Sequence, residues 1–292
     1  MRVGIGLPAT IPGARGDGIL EWARRAEEAG FSSVGIIDRL VYGNFEPLVT
    51  LAAVAGATTR IRLVTSILVA PLRSNAFVLA KEAASLDALS NGRLTLGMGL
   101  GSRDDDYEVS GLPTGGRGRT LDYQLEHMRR VWSGDTSSPE GKIGPPPRRA
   151  GGPEVLVAGH VDASFRRVAR FGDGWIYGRS SPQEFGELGA AVDEAWQAAG
   201  RSGAPRKVSQ GYYSLGPDAR ATADSYLLDY YAWLGEIANY IAADALTDTD
   251  AVRAYVDGHA AAGCDELILF PCSTAIDELE RLRAAVADRL QP

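Results

Sequence analysis

The sequence predicts an α/β fold, a closed (β/α)8 TIM barrel, from three observations. Eight short apolar runs of strand length alternate with helix-period segments, which implies parallel pairing through crossover helices. The stretch Ile61 to Gly101 spells one complete strand, loop, helix and strand, a single βαβ unit. The chain has 292 residues and no proline-, serine- or charge-rich linker, so one domain over 1–292 is expected.

In chain order the strand candidates are Arg2 to Leu7, Val34 to Asp38, Ile61 to Val69, Leu94 to Gly99, Glu154 to Ala158, Gly174 to Tyr177, Val208 to Leu215 and Glu266 to Phe270. Each is rich in β-branched or aliphatic residues and bounded by glycine, proline or a charge. Helix-period segments fall at Gly18 to Ala29, Glu46 to Ala57, Phe77 to Leu89, Thr120 to Trp132, Ala163 to Phe171 and Pro182 to Ala199. Asn91-Gly92 stops the third of these. Two insertions break the alternation. After the fourth strand and helix, Ser133 to Gly152 is too rich in proline and glycine for a helix and reads as a surface excursion. After the seventh strand, Pro217 to Asp250 carries Tyr226, Tyr230, Tyr231, Trp233 and Tyr240 on a helical pattern, either a core-facing stripe, a pocket wall or a dimer contact.

Composition narrows the function classes. With 45% apolar and 23% charged residues the chain is ordinary for a globular protein. A net charge of −7 argues against a nucleic-acid partner. No apolar run approaches a membrane span and the opening MRVGIGLP is too short for a signal core, so no membrane partner and a cytoplasmic location are expected. Cys264 and Cys272 flank the last strand, at about 3.3 Å per residue too far apart for a disulfide, and read as free thiols.

Barrel enzymes place their chemistry just past the carboxyl ends of the strands. Asp38 and Arg39 follow the second strand, where a buried charge must be solvated or paired. Gly99 and Gly101 follow the fourth and are succeeded by Ser102, Arg103 and the acids Asp104, Asp105 and Asp106. Without a histidine or second cluster these acids read as a solvated loop rather than a metal site, and no metal is expected. After the fifth strand, Ala158, Gly159 and His160 turn into a helix whose free amides favour an anion. Gly178 and Arg179 follow the sixth strand and offer a second cation to the same anion. His127 and His259 lie inside helix patterns and read as structural or exposed.

The segment AKEAASLDALSNGRLTLGMGLG resembles the bacterial luciferase-like family of flavin- and deazaflavin-dependent oxidoreductases and monooxygenases. The resemblance extends to Ile5–Pro8, Ala23–Leu40, Arg119–Trp132, Ala169–Gly178 and Ala261–Pro271, most of the chain. It implies a noncovalent cofactor, F420 or FMN, and a small organic substrate that receives hydride or oxygen. It places Asp38 against the isoalloxazine ring, a cis peptide at Ser66-Ile67 behind it, and the ribityl phosphate on the loops of Gly159 and Arg179. Relatives carry histidine where Arg39 stands and assign it proton transfer; arginine stays protonated and can orient an anion but not act as a base. Ser102 replaces the glutamate of the sugar-phosphate dehydrogenases, which speaks against that activity. The DRL sequence at Asp38–Leu40 and the Ser66-Ile67 pair favour F420. The expected catalytic residues are Asp38, Arg39 and Arg103; the expected cofactor-binding residues are Ser66, Ile67, Gly99, Gly101, Ala158, Gly159, His160, Gly178 and Arg179. A homodimer is expected and, with FMN, a flavin reductase partner. The alternatives are a noncatalytic flavin-binding protein and a hydrolase pairing Asp38 with Asp104.

Overall fold

The computed structural model describes residues 1–138 and 141–290; residues 139 and 140, inside the Ser133–Gly152 excursion, lie outside them. The strands are β1 (Arg2–Gly6), β2 (Ser33–Ile36), β3 (Arg62–Val69), β4 (Leu94–Gly99), β5 (Ser137–Ser138), β6 (Gly141–Lys142), β7 (Glu154–Ala158), β8 (Gly174–Arg179), β9 (Arg206–Tyr213) and β10 (Glu266–Pro271). β5 and β6 pair as a separate antiparallel two-stranded sheet inside the excursion. The other eight close into a barrel in the order β1-β10-β9-β8-β7-β4-β3-β2, as the alternating pattern predicts. Between them run α1 (Gly16–Glu28), α2 (Pro47–Ala57), α3 (Ala76–Leu89), α4 (Asp104–Val109), α5 (Arg117–Ser133), α6 (Asp162–Phe171), α7 (Pro182–Ala198), α8 (Ala219–Tyr230), α9 (Ile237–Ala243), α10 (Thr249–Ala261) and α11 (Asp277–Ala285). No helix of the described residues is long and apolar enough to cross a membrane.

The structure departs from the sequence reading at three places that matter. β2 ends at Ile36, so Asp38 lies two residues past the strand instead of closing it. The acids after β4 are not a solvated loop but the first turn of α4, where their charge suits the positive end of the helix dipole. The aromatic pattern after β9 is not one stripe. α8 buries Tyr226 and Tyr230, while the 3-10 turn Ala232–Leu234 and α9 leave Trp233 and Tyr240 40% and 71% exposed.

Contacts group the chain into two compact units, Met1–Gly35 with Tyr177–Ala190 and Lys207–Pro292, and Ile36–Ile176 with Ala191–Arg206. In the first, β1 pairs in register with β10 (Val3 with Leu267, Ile5 with Leu269) and β10 with β9. The core there is made by those strands and by Ile19 and Trp22 of α1, all buried. Each such large side chain contributes roughly 1.5 to 3 kcal/mol on burial. Cys264 and Cys272 are free and buried, and burial pushes the Cys264 thiol up to about 12.

In the second unit β3, β4 and β7 are buried on both faces, which explains their unbroken apolar runs: Leu63, Val64, Leu96, Met98 and Val155–Val157. Their amino ends are tied together by Glu154, which accepts from Arg62 (2.9 Å), Thr95 (2.8 Å) and Arg206. That end is closed by structural ion pairs, which leaves the carboxyl ends for chemistry.

Candidate active site

Most of the expected site residues fall in the second unit, in the carboxyl-terminal parts of β3, β4 and β7 and on the segments that follow β2, β4 and β7. Asp38 is buried and accepts from the Val69 amide (2.7 Å) and from both Arg73 nitrogens (2.6 and 3.3 Å). Burial pushes its carboxyl above the usual carboxylate range, against the pull of Arg73 and the Val69 N–H. Arg73 also donates to Glu46 (2.8 Å), whose other oxygen caps α2 at Val49. Asp38 thus fixes the end of β3, and through Arg73 the start of α2.

Arg39 pairs not with its neighbour Asp38 but with Asp105 (3.9 Å), and its guanidinium lies 4.4 Å from the Tyr42 ring centre. Arg103 also pairs with Asp105. These arginines, with side chains 7% and 11% exposed, hold one carboxylate between them and keep it below the usual range. Asp106, which the sequence offers as one acid of three, is buried and accepts from the amides of Leu40 (3.2 Å) and Val41 (2.7 Å). It therefore joins the segment after β2 to α4. Tyr107, also buried, donates to the Leu100 carbonyl and holds the glycine loop.

At the end of β3 the register with β4 shifts between Thr65 and Leu68, and the Ser66-Ile67 peptide is cis, where the resemblance places it. Ser66 Oγ is buried and has no hydrogen-bond partner among the described residues. Gly99 lies where three strand ends meet: a Cβ there would stand 3.1 Å from Ile67 Cγ2 and 3.2 Å from Ala158 Cβ. Gly101 turns with φ +67°, and a side chain would strike Val69.

After β7, Gly159 adopts φ +139° with Ser164 packed against it, and its carbonyl accepts from Trp175 Nε1 (2.8 Å). Ser164 closes the first turn of α6 by accepting from Val161 N (3.0 Å) and donating to Val161 O (2.6 Å). His160 is exposed beside it. Gly178 and Arg179 belong to the other unit, as the last residues of β8, and Arg179 is ion-paired with Asp244. His259 is wholly buried, its ring tilted against that of Tyr255 at 4.2 Å with its Nδ1 3.0 Å from the Tyr255 carbonyl, and is structural. His127 stacks on Tyr123 at 3.9 Å.

Two contributors were not singled out from the sequence. Arg73 is the partner of Asp38, and Gln124 of α5 donates to the carbonyls of Ala70 (2.9 Å) and Arg73 (2.6 Å), fixing the turn after β3. Only a polar position on the buried face of α5 could have flagged Gln124.

The family model described as luciferase-like monooxygenase matches residues 1–268. The chain belongs to that luciferase-like family. An uncharacterized protein of Mycobacterium tuberculosis is 35% identical over 210 residues, 62% of this chain and 72% of its own. The F420-dependent glucose-6-phosphate dehydrogenase of Amycolatopsis mediterranei is 31% identical over 200 residues, 62% of this chain and 60% of its own. Among solved structures, monooxygenase RslO1 from Streptomyces bottropensis matches with a TM-score of 0.77 at 24% identity, over 99% of this chain and 98% of that one. An F420-dependent secondary alcohol dehydrogenase in complex with an F420-acetone adduct matches with a TM-score of 0.82 at 18% identity, over 99% of each chain. At these identities the two structures share the luciferase-like barrel fold.

Proposed function

We propose that this luciferase-like protein is an oxidoreductase that holds a reduced flavin or deazaflavin noncovalently, F420 in preference to FMN, and transfers hydride to, or oxygenates, a small organic substrate. The observation that carries the reading is Gly99, a residue without a side chain between Ile67 and Ala158 at the carboxyl ends of three strands. A flat ring system needs such an approach, and the buried hydroxyl of Ser66 offers it a hydrogen bond. Ser66, Ile67, Gly99, Gly101 and Ala158 would border the ring, and Gly159 and His160, at the start of α6, would meet a phosphate. When bound, such a cofactor supplies a hydride or, as reduced FMN, electrons to oxygen.

The chain's own residues orient and exclude water. Arg39 remains cationic at every working pH and can balance an anion, but not accept a proton. Asp38 holds the turn after β3. The F420 preference rests on the DRL sequence at Asp38–Leu40, on Ser66-Ile67 and on the relatives named F420-dependent. The test is absorbance and fluorescence titration of the purified protein with FMN and with F420. Saturable F420 binding at lower concentration than FMN is expected; the reverse order assigns FMN, and failure of both to bind removes the reading. Turnover then separates an enzyme from a noncatalytic binding protein.

A further inference from the structure

The first unit contains a group of hydroxyls to which the reading above gives no role. Thr10 follows β1, while Tyr212 and Phe270 are the penultimate residues of β9 and β10, so three neighbouring strands present them at their carboxyl ends. α8 brings Tyr226 and Tyr230 onto them. Thr10 Oγ1 and Tyr226 Oη are 2.6 Å apart and both residues are 4% exposed. Tyr212 Oη and Tyr231 Oη are 2.8 Å apart. The ring of Tyr212 meets Tyr226 and Tyr231 edge-on and Phe270 at a tilt, at centroid distances of 6.1 to 6.3 Å, forming an aromatic wall.

Two hydroxyls carry two protons, and one hydrogen bond between Thr10 and Tyr226 uses one of them. The other O–H has no acceptor among the described residues, inside an apolar wall where an unmet donor is costly. The groups acting on Tyr226 and Tyr212 are other phenols, Thr10 and the Cys272 thiol, all uncharged at neutral pH, and burial raises both phenols far above their usual range. The donor is therefore neutral and stays protonated. It suits an uncharged oxygen and offers a dianion no countercharge to offset its desolvation.

We propose that Thr10 and Tyr226, walled by Tyr212, Tyr230 and Phe270, form a neutral hydrogen-bonding subsite for the oxygen of an apolar alcohol, phenol or ketone, and that this subsite rejects phosphorylated substrates. The inference rests on the reading of the chain as an oxidoreductase of a small organic substrate, whose substrate class it names.

The test is calorimetric titration of the full chain, without cofactor, at pH 7 with naphthalene, 2-naphthol and 2-naphthyl phosphate. Wild type should bind 2-naphthol about fivefold more tightly than naphthalene, the ratio one neutral hydrogen bond confers. It should bind 2-naphthyl phosphate at least about tenfold more weakly than 2-naphthol, since a charged group enters an uncharged wall. In Tyr226→Phe and in Thr10→Val the preference for 2-naphthol over naphthalene should fall towards one while naphthalene affinity holds. An unchanged preference in both variants, phosphate ester binding as tight as 2-naphthol, no binding of any naphthyl probe, or loss of naphthalene binding by both variants overturns the proposal. Because no cofactor is present, these outcomes are independent of the FMN and F420 titration, whose failure would touch only the cofactor reading.

Discussion

Arg73 grips Asp38 with both terminal guanidinium nitrogens, across 35 residues of sequence, and Arg39 beside Asp38 takes no part in the grip. The acid that follows β2 is therefore held by a residue that follows β3. If this pair carries the geometry, Arg73→Ala leaves a carboxylate buried and unpaired. Removing one partner of a buried pair costs about 3 to 5 kcal/mol, and the partial exposure of Arg73 brings the expectation to about 2 to 3. Urea denaturation measures it; a loss under about 1 kcal/mol would show that Asp38 is neutral and needs no partner.

Asp106 supplies a second cross-link, to the amides of Leu40 and Val41. Asp106→Ala removes the one oxygen, Oδ1, that accepts both bonds and should cost about 2 to 3 kcal/mol, whereas Asp106→Asn keeps an oxygen in place and should cost less than half of that. Equal losses for the two variants would mean that charge in the first turn of α4, and not the hydrogen bonds, is what matters.

How far these features were legible in the sequence follows from the range over which each acts. The barrel strands and most helices declare themselves through period and punctuation within about ten residues, so Leu94–Gly99 and Glu154–Ala158 agree with the structure to the residue. α4 has six residues, four of them acids, and no apolar period to betray it. Asp106 and Arg73 owe their roles to partners 65 and 35 residues away, which local pattern does not encode. Gly99 was legible as a glycine at a strand end, but its neighbours Ile67 and Ala158 emerge only from the strand order.

The glycines of β4 separate folding from binding. A Cβ at Gly97 would lie 2.2 Å from the Thr65 carbonyl oxygen, on backbone that cannot yield, so Gly97→Ala should destabilise the protein severely. At Gly99 the clashes are milder, 3.1 and 3.2 Å against side-chain carbons. Gly99→Ala should keep a cooperative fold and lose about 1 to 3 kcal/mol of cofactor affinity through overpacking where the ring would lie. Unaltered FMN and F420 titration curves for a folded Gly99→Ala would place the ring elsewhere.

His259 makes stability depend on pH. Burial lowers its pKa below the ordinary 6.5, so the unfolded chain takes up a proton at a pH where the folded protein does not. Stability from this residue is complete above the unfolded value, declines as pH falls through it, and stops declining below the folded value. His259→Phe, which keeps a ring between Tyr255 and Phe185, should flatten the fall in melting temperature below about pH 6.5. A wild-type slope in that variant would assign the acid sensitivity to carboxylates instead.

Arg39 tests the chemistry itself. Its guanidinium is pinned between Asp105 and the Tyr42 ring, and its side chain is 7% exposed, so planar shape as well as charge fixes its place. Arg39→Lys retains the charge but neither the fork nor the stacking, and should lower the steady-state rate, followed by cofactor absorbance, about tenfold. Arg39→Ala should lower it further, with Asp105 left to Arg103 alone. Neither variant should bring a new ionisation near pH 6 to 7, because neither alanine nor lysine titrates there. Arg39→His should bring one, since imidazole changes charge in that window and the resemblance gives histidine this position. Wild-type turnover in Arg39→Ala would leave Arg39 as a clamp on Asp105, with the proton chemistry carried by another residue.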